Sequence, residues 1–407
     1  MNNNSWIVKN GLVIDTEPQP VVLGEVDVLV TAGRIAAVGP DLGAEGIEVI
    51  DATGMIVLPG FVDSHRHTWQ AAIRAVAPDT TLGDYVAHVL GELAPRLTPD
   101  DVHAGIAAGV RECLHGGITT LLDWSHVQFT PEHTDAAVDA LTASGVRAVF
   151  GFCHGGADKS LMAPEGRRIR EALTGDLVSM AVAAFGPEFG DLERAAGEWR
   201  LARELDVPVS VHMGGHGVES AGRGLDFLDA HGFLGAPRTT YIHANHYTDE
   251  HLKRIAGSGG SVSVSPFSEM ALAIGYPVTG RARAAGVPAS LSADAVTSGP
   301  GDMFAMMRAV HALERGRADA AGLGFTTRDA LRMATIEGAE VVGLAEVTGS
   351  LRVGKQADLQ LLRASSPSMA GAQDLIGAVV LNADTSAVDT VLVAGRVLKR
   401  DGMLVAG

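Results

Sequence analysis

The chain has 407 residues, 46% of them hydrophobic and 19% charged, which excludes a disordered, collagen-like or disulfide-scaffolded protein and leaves room for one large barrel with an appendage. Its 48 acidic and 31 basic residues give a formal charge of −17, a balance that argues against nucleic acid or an anionic membrane surface as partner, because phosphate binding needs basic patches. No apolar run approaches the roughly 20 residues of a membrane span. The N-terminus lacks a signal-like region, and Cys113 and Cys153 cannot build a disulfide framework, so a reduced, cytoplasmic protein is expected.

Residues 5–57 read as short β-branched strands, Trp6–Val8, Leu12–Ile14, Val26–Val30 and Arg34–Val38, punctuated by Gly11, Gly33 and Gly39. From residue 58 the texture changes to apolar runs alternating with amphipathic segments. The expected strands are Ile56–Val62, Thr119–Asp123, Arg147–Phe152, Val178–Phe185, Val209–His212, Thr240–His243, Ser261–Ser265 and Ala289–Ala293. Helices are expected between them, including Asp135–Ser144, Leu192–Leu205, Asp249–Ala256 and Gly301–Arg315. Eight strands alternating with helices predict an α/β fold with parallel pairing, and a closed (β/α)8 TIM barrel fits best; a doubly wound sheet would want a Gly-x-Gly-x-x-Gly turn, and none follows a strand. The C-terminal strands Asp358–Leu362, Val388–Val393 and Arg396–Lys399 resemble the N-terminal ones in texture. We therefore expect residues 1–57 plus 348–407 to form one small β-domain beside a barrel of residues 58–347, although two separate meanders would read alike.

The chemistry concentrates at strand ends. In Leu58-Pro-Gly-Phe-Val-Asp-Ser-His-Arg-His67, residues i and i+2 of an extended strand share a side, so His65 and His67 can converge on one ion. His212 ends the fifth expected strand, His243 the sixth, and Asp294 follows the eighth. Active-site groups of such barrels sit at the C-terminal strand ends, so these five side chains should face one another across the mouth. Imidazole with carboxylate suits zinc or iron(II) rather than calcium or magnesium.

At this point the chain resembles the amidohydrolase superfamily, in its cytosine-deaminase-like and triazine-hydrolase-like branch. The resemblance is carried by Gly33-Arg-Ile-Ala-Ala-Val-Gly39, the stretch from Pro59 to His67, Gly117-Ile-Thr-Thr120, Ala334-Thr-Ile-Glu-Gly-Ala339 and Gly349-Ser-Leu-Arg-Val-Gly-Lys-Gln-Ala-Asp-Leu359. It implies a (β/α)8 barrel with a small β-sandwich built from both termini. It also implies that His65, His67, His212 and Asp294 bind the metal, that Asp294 serves as general base, and that His243 hydrogen-bonds the attacking water or the substrate. Binuclear members bridge two metals with a carbamylated lysine ending the fourth strand. This chain has five lysines, Lys9, Lys159, Lys253, Lys355 and Lys399, none of them there, so one divalent ion is expected, zinc first and iron as the alternative. Ring deaminases of the branch place a glutamate three residues after the fifth-strand histidine; here the run is His212-Met-Gly-Gly215, and Glu188, Glu269 or His216 would have to substitute.

Further pocket candidates are Trp69, Gln70, His126, His154, Glu188 and Glu269, with Asp123, Trp124 and Phe267 beside them. Asp63 reads as orienting a ligand histidine, Arg74 as an ion pair or an anion site, and both cysteines as buried fillers. The leading functional reading is a mononuclear metal-dependent hydrolase of a non-peptide C–N bond at an amide, cyclic amide or amidine carbon. A deaminase of a purine, pyrimidine, pterin or triazine-like ring is the alternative, and a catalytically silent scaffold the remote one. The partner expected is a small-molecule substrate; the resemblance leaves room for a homo-oligomer.

Overall fold

The computed structural model describes residues 4–405 except 44, 157, 190, 319 and 320. Five strands come before the barrel: β1 (Trp6–Asp15), β2 (Val21–Thr31), β3 (Arg34–Gly39), β4 (Glu48–Asp51) and β5 (Met55–Pro59). The barrel strands are β6 (Phe61–Arg66), β7 (Ile118–Gln128), β8 (Arg147–His154), β9 (Val178–Ala184), β10 (Val209–Met213), β11 (Thr239–His243), β12 (Ser261–Val264) and β13 (Ala289–Leu291). Four more follow: β14 (Leu359–Arg363), β15 (Val388–Val393), β16 (Arg396–Arg400) and β17 (Met403–Leu404).

Strands from both ends of the chain share one nine-stranded sheet, in which β5 pairs with β1 on one side and with β14 on the other. The sheet turns back over its own core. Ile35 donates to Lys355 O and Ala357 to Gly33 O, so β3 meets the segment entering β14 around Trp6, Val28, Ile35, Leu359 and Leu392. The other face, with Ile14, Ile56 and Val391, joins the large core under the barrel helices.

Two expectations needed correcting here. Trp6–Val8 and Leu12–Ile14 are one strand, not two around a turn at Gly11: a bulge separates Val8 from Gly11, and a Cβ at Gly11 would lie 2.4 Å from Val57 Cγ2, so the glycine permits close strand approach. Ile56–Val62 is two strands, not one. The run breaks at Gly60, where a Cβ would lie 2.1 Å from Thr119 Oγ1, leaving β5 in the terminal sheet and β6 in the barrel.

The barrel sheet runs in chain order, with neighbouring strands from β6 to β13 parallel. It closes where β6 meets the end of β13. Ser64 Oγ donates to Leu291 O at 2.9 Å, and a parallel bridge joins Arg66 to Asp294. Below the mouth, buried serines of β6, β12, β13 and the residue after β13 satisfy one another: Ser64 and Ser290 each meet a neighbouring hydroxyl, as do Ser263 and Ser292, at 2.6–2.9 Å. The buried ion pair of Arg147 with Asp358, at 2.6 Å, ties β8 to the C-terminal sheet. Among the described residues, no helix is long and apolar enough to cross a membrane.

Candidate active site

His65, His67, His212 and Asp294 each present one ligand atom, and all four atoms lie within 4.8 Å of one another. Strand alternation explains the first pair, and the ends of β10 and β13 bring the others over the same opening. His65 Nε2 stands 3.1 Å, and His67 Nε2 3.3 Å, from Asp294 Oδ1. His67 Nδ1 lies 2.7 Å from the Trp124 carbonyl, which fixes that nitrogen as the donor and leaves Nε2 a lone pair facing the cluster. Burial pushes the His65 pKa down to about 4, keeping the ring neutral as a ligand must be. Burial alone would raise the Asp294 carboxyl, but the His65 hydrogen bond and the surrounding imidazoles of His67 and His243 hold it well below the usual carboxylate range.

The donor chemistry fits a divalent ion. Three imidazoles and one ionised carboxylate converge in a buried site, and His65 Nδ1 has no partner in the protein. The positions are reached by unusual backbone: His243, Ala244 and Asp294 have φ of +72°, +57° and +57°, left-handed values that a non-glycine residue keeps only where its surroundings hold it.

His243 stands beside the cluster, its ring centroid 5.6 Å from that of His212 and 6.0 Å from that of His65. Glu269 Oε1 lies 3.4 Å from His243 Nδ1, and this carboxylate also accepts from Ser265 N at 2.7 Å and Asn245 Nδ2 at 3.1 Å. Burial opposes a charge on His243, yet the Glu269 hydrogen bond, with Asp294 nearby, raises its pKa above the ordinary value.

The cluster forms the floor of a cavity of about 380 Å³. Helical spacing supplies one wall: Thr81 caps a segment in which Leu82, Tyr85, Val86 and Leu90 share a face, and that face is turned to the cavity. Phe185, the residue after β9, and Phe189 also line it.

Of the residues expected to touch substrate, His126 lines the cavity. It stacks on His67 at 4.2 Å, and Trp69 Nε1 donates to its Nδ1 at 3.2 Å, leaving Nε2–H as its donor. Trp69, Gln70, Glu188 and Glu269 stand behind the wall. Gln70 Nε2 donates to the Tyr85 hydroxyl at 2.5 Å, and Glu188 Oε1 accepts from Gly214 N at 2.7 Å. His154 is not brought to the cavity: it ends β8 with Nε2 2.9 Å from Asp158 O, a loop hydrogen bond. Among the three stand-ins for the absent glutamate, His216 alone lines the cavity.

Asp63 departs from the role expected of it. Its carboxylate accepts from the backbone N–H of Ala293 at 3.1 Å and of His65 at 3.4 Å, clamping β6 to β13 instead of orienting an imidazole. Arg74 forms an ion pair with Glu112 at 2.7 Å. Both cysteines are buried, and burial pushes the Cys113 thiol up to about 12 and the Cys153 thiol higher still, as inert fillers require. The apolar wall from Leu82 to Leu90, with Phe185 and Phe189, is the part that sequence reasoning missed; the i, i+3, i+4, i+8 spacing of Leu82, Tyr85, Val86 and Leu90 marks a helix face but not what that face covers.

The amidohydrolase family model matches residues 56–398. The chain is 30% identical to a 5-methylthioadenosine/S-adenosylhomocysteine deaminase of Symbiobacterium thermophilum, over 97% of this chain and 93% of that one. It is 29% identical to a 5'-deoxyadenosine deaminase of Methanothermobacter thermautotrophicus, over 97% and 95%. Its fold superposes on a zinc-bound adenosine deaminase from Xanthomonas campestris with a TM-score of 0.90, at 25% identity over 99% of this chain and 94% of that one.

Proposed function

The chain belongs to the amidohydrolase family and is a metal-dependent hydrolase of non-peptide carbon–nitrogen bonds; from that premise we propose that it cleaves such a bond at an amide, cyclic amide or amidine carbon, using one divalent ion. His65, His67, His212 and Asp294 would hold the ion, zinc in the first instance and iron(II) as the alternative. When bound, the ion supplies Lewis acidity, lowering the pKa of a water molecule towards neutrality and polarising the group under attack. The observation that carries this reading is the convergence of those four ligand atoms beside His243.

The protein's own groups divide the remaining work. Asp294, ionised in its setting, takes a proton from the attacking water and passes it to the leaving nitrogen. His243, held by Glu269 and favoured in its charged form, hydrogen-bonds the oxygen on which negative charge develops. His126 presents Nε2–H to the cavity and can orient the substrate's heteroatom. The apolar walls exclude competing water from this polar floor.

A second reading, deamination of a heterocycle such as an adenine ring, is favoured by the relatives, whose names are those of adenosine-type deaminases. Gly215 stands where ring deaminases carry their glutamate, so His216 would be the nearest proton carrier. Zinc-loaded protein incubated with 5'-methylthioadenosine and, separately, with cyclic amides separates the readings. Ammonia release from the nucleoside supports deamination, and ring opening supports amide hydrolysis. No turnover of either class by protein carrying its full metal complement would sink both.

A further inference from the structure

Above its polar floor the cavity is almost entirely hydrocarbon. Leu82, Val86, Leu90, Phe185, Leu272 and Ile274 line it, whereas no arginine, lysine, glutamate, asparagine, glutamine, serine or threonine is among the described lining residues. The polar side chains that do line it are the floor and mouth histidines, Asp294, Trp124 and Tyr85. Trp124 Nε1 already donates to Ser210 O, and the Tyr85 hydroxyl accepts from Gln70 and keeps one O–H to donate. The apolar character continues outwards: Val86 is 39% and Phe189 49% exposed while lining the cavity, and Phe189 packs edge-on against His216 at 4.9 Å. An exposed valine and phenylalanine at the mouth of a cavity give a substrate apolar contact before its reacting group reaches the floor.

We propose that the substrate is neutral and predominantly apolar, with one polar portion, the carbon–nitrogen unit that meets the histidine–aspartate floor, and with its apolar body gripped between the Leu82–Leu90 stripe and Phe185–Phe189. This rests on the metal-dependent hydrolase reading above. A carboxylate, phosphate or ammonium on the body of the substrate would lose its hydration against these walls and find no counter-charge there. An apolar ring placed there gains the transfer free energy of its buried surface.

The test is calorimetric titration of the zinc-loaded protein with three hydroxamates, which anchor the same chelating head on the ion and probe the walls with their tails. Benzohydroxamate is expected to bind at least about tenfold tighter than acetohydroxamate, and at least about tenfold tighter than 4-carboxybenzohydroxamate. In Val86→Gln/Phe189→Gln, a pair exposed enough for the protein to fold, the advantage of the benzene ring should shrink to about threefold or less. Acetohydroxamate and benzohydroxamate of equal affinity, or a carboxylated ring that binds as tightly as the parent, would overturn the apolar substrate and leave the metal reading standing. Failure of acetohydroxamate to bind protein of verified zinc content would instead strike at the metal reading and take this proposal with it.

Discussion

Asp294 is joined to His65 twice: its backbone N–H donates to the His65 carbonyl at 3.0 Å, and its Oδ1 lies 3.1 Å from His65 Nε2. A third link, His67 N–H to the Asp294 carbonyl at 3.1 Å, completes the seam. The contact that closes the eighth strand on the first is therefore also the contact that assembles the histidine–aspartate cluster. The left-handed φ of Asp294 is sustained by these bonds, so fold and site hold each other in place.

Asp294→Asn keeps the backbone seam and the side-chain shape but removes the charge and, with it, the proposed base. We expect kcat to fall about 10²–10⁴-fold, with little change in Tm of the metal-free protein. Steady-state kinetics beside thermal unfolding checks both halves of this expectation.

Glu269→Gln tests the partner of His243. Losing the carboxylate should cost about 10–100-fold in activity, as for other groups that orient a catalytic histidine. The pH profile carries the sharper signature. His243 has a raised pKa in the folded protein, so the rate that depends on its charged form is full below that pKa and declines as pH rises through it. Removing Glu269 should move this alkaline decline to lower pH; an unmoved profile would mean that His243 does not act as the charged donor.

The convergence of His65, His67, His212 and Asp294 was legible in the sequence because each member terminates an apolar run, and strand alternation brings the two ends of a His-x-His spacing to one side. The terminal sheet was legible for a similar reason, through β-branched runs with glycine punctuation. Position within that sheet was not: Gly11 reads as a turn, yet it is a point of close approach to Val57. The cavity walls were hidden because Leu82, Tyr85, Val86 and Leu90 have the spacing of any helix that faces a core, and no local signal distinguishes a cavity from a core. Glu269 was picked as a pocket residue, but its contact with His243 is tertiary and depends on how the segment after β12 folds back.

Gly109 illustrates a packing constraint transmitted to the site. It lies in the helix Pro99–His115, and a Cβ there would come 2.6 Å from the carbonyl oxygen of Thr68, the residue after His67. Ala would ordinarily stabilise a helix interior, but here the clash should win, destabilising the protein by about 1–3 kcal/mol. Reduced zinc affinity should accompany the loss, because relief requires moving the backbone beside His67. Chemical denaturation together with zinc titration of Gly109→Ala measures both.

Glu188 gives the stability of the fold a pH dependence. Burial pushes its carboxyl up to about 7, against the Gly214 hydrogen bond that works in the other direction. A carboxyl whose folded pKa lies above its unfolded value binds its proton more tightly when folded, so its favourable contribution is full below the unfolded value and is lost as pH rises through about 7. Glu188→Gln removes this titration. Relative to wild type, the variant should gain on the order of 2 kcal/mol between pH 5 and pH 8, measured by denaturant unfolding at each pH.

The most direct test of the account is metal content, by elemental mass spectrometry, of the wild type beside His212→Ala and Asp294→Ala. The account predicts about one zinc or iron per chain in the wild type and a large loss in both variants, since each removes one of four converging ligands. A wild type that binds no metal after reconstitution, or variants that keep it in full, would contradict the assignment of the cluster.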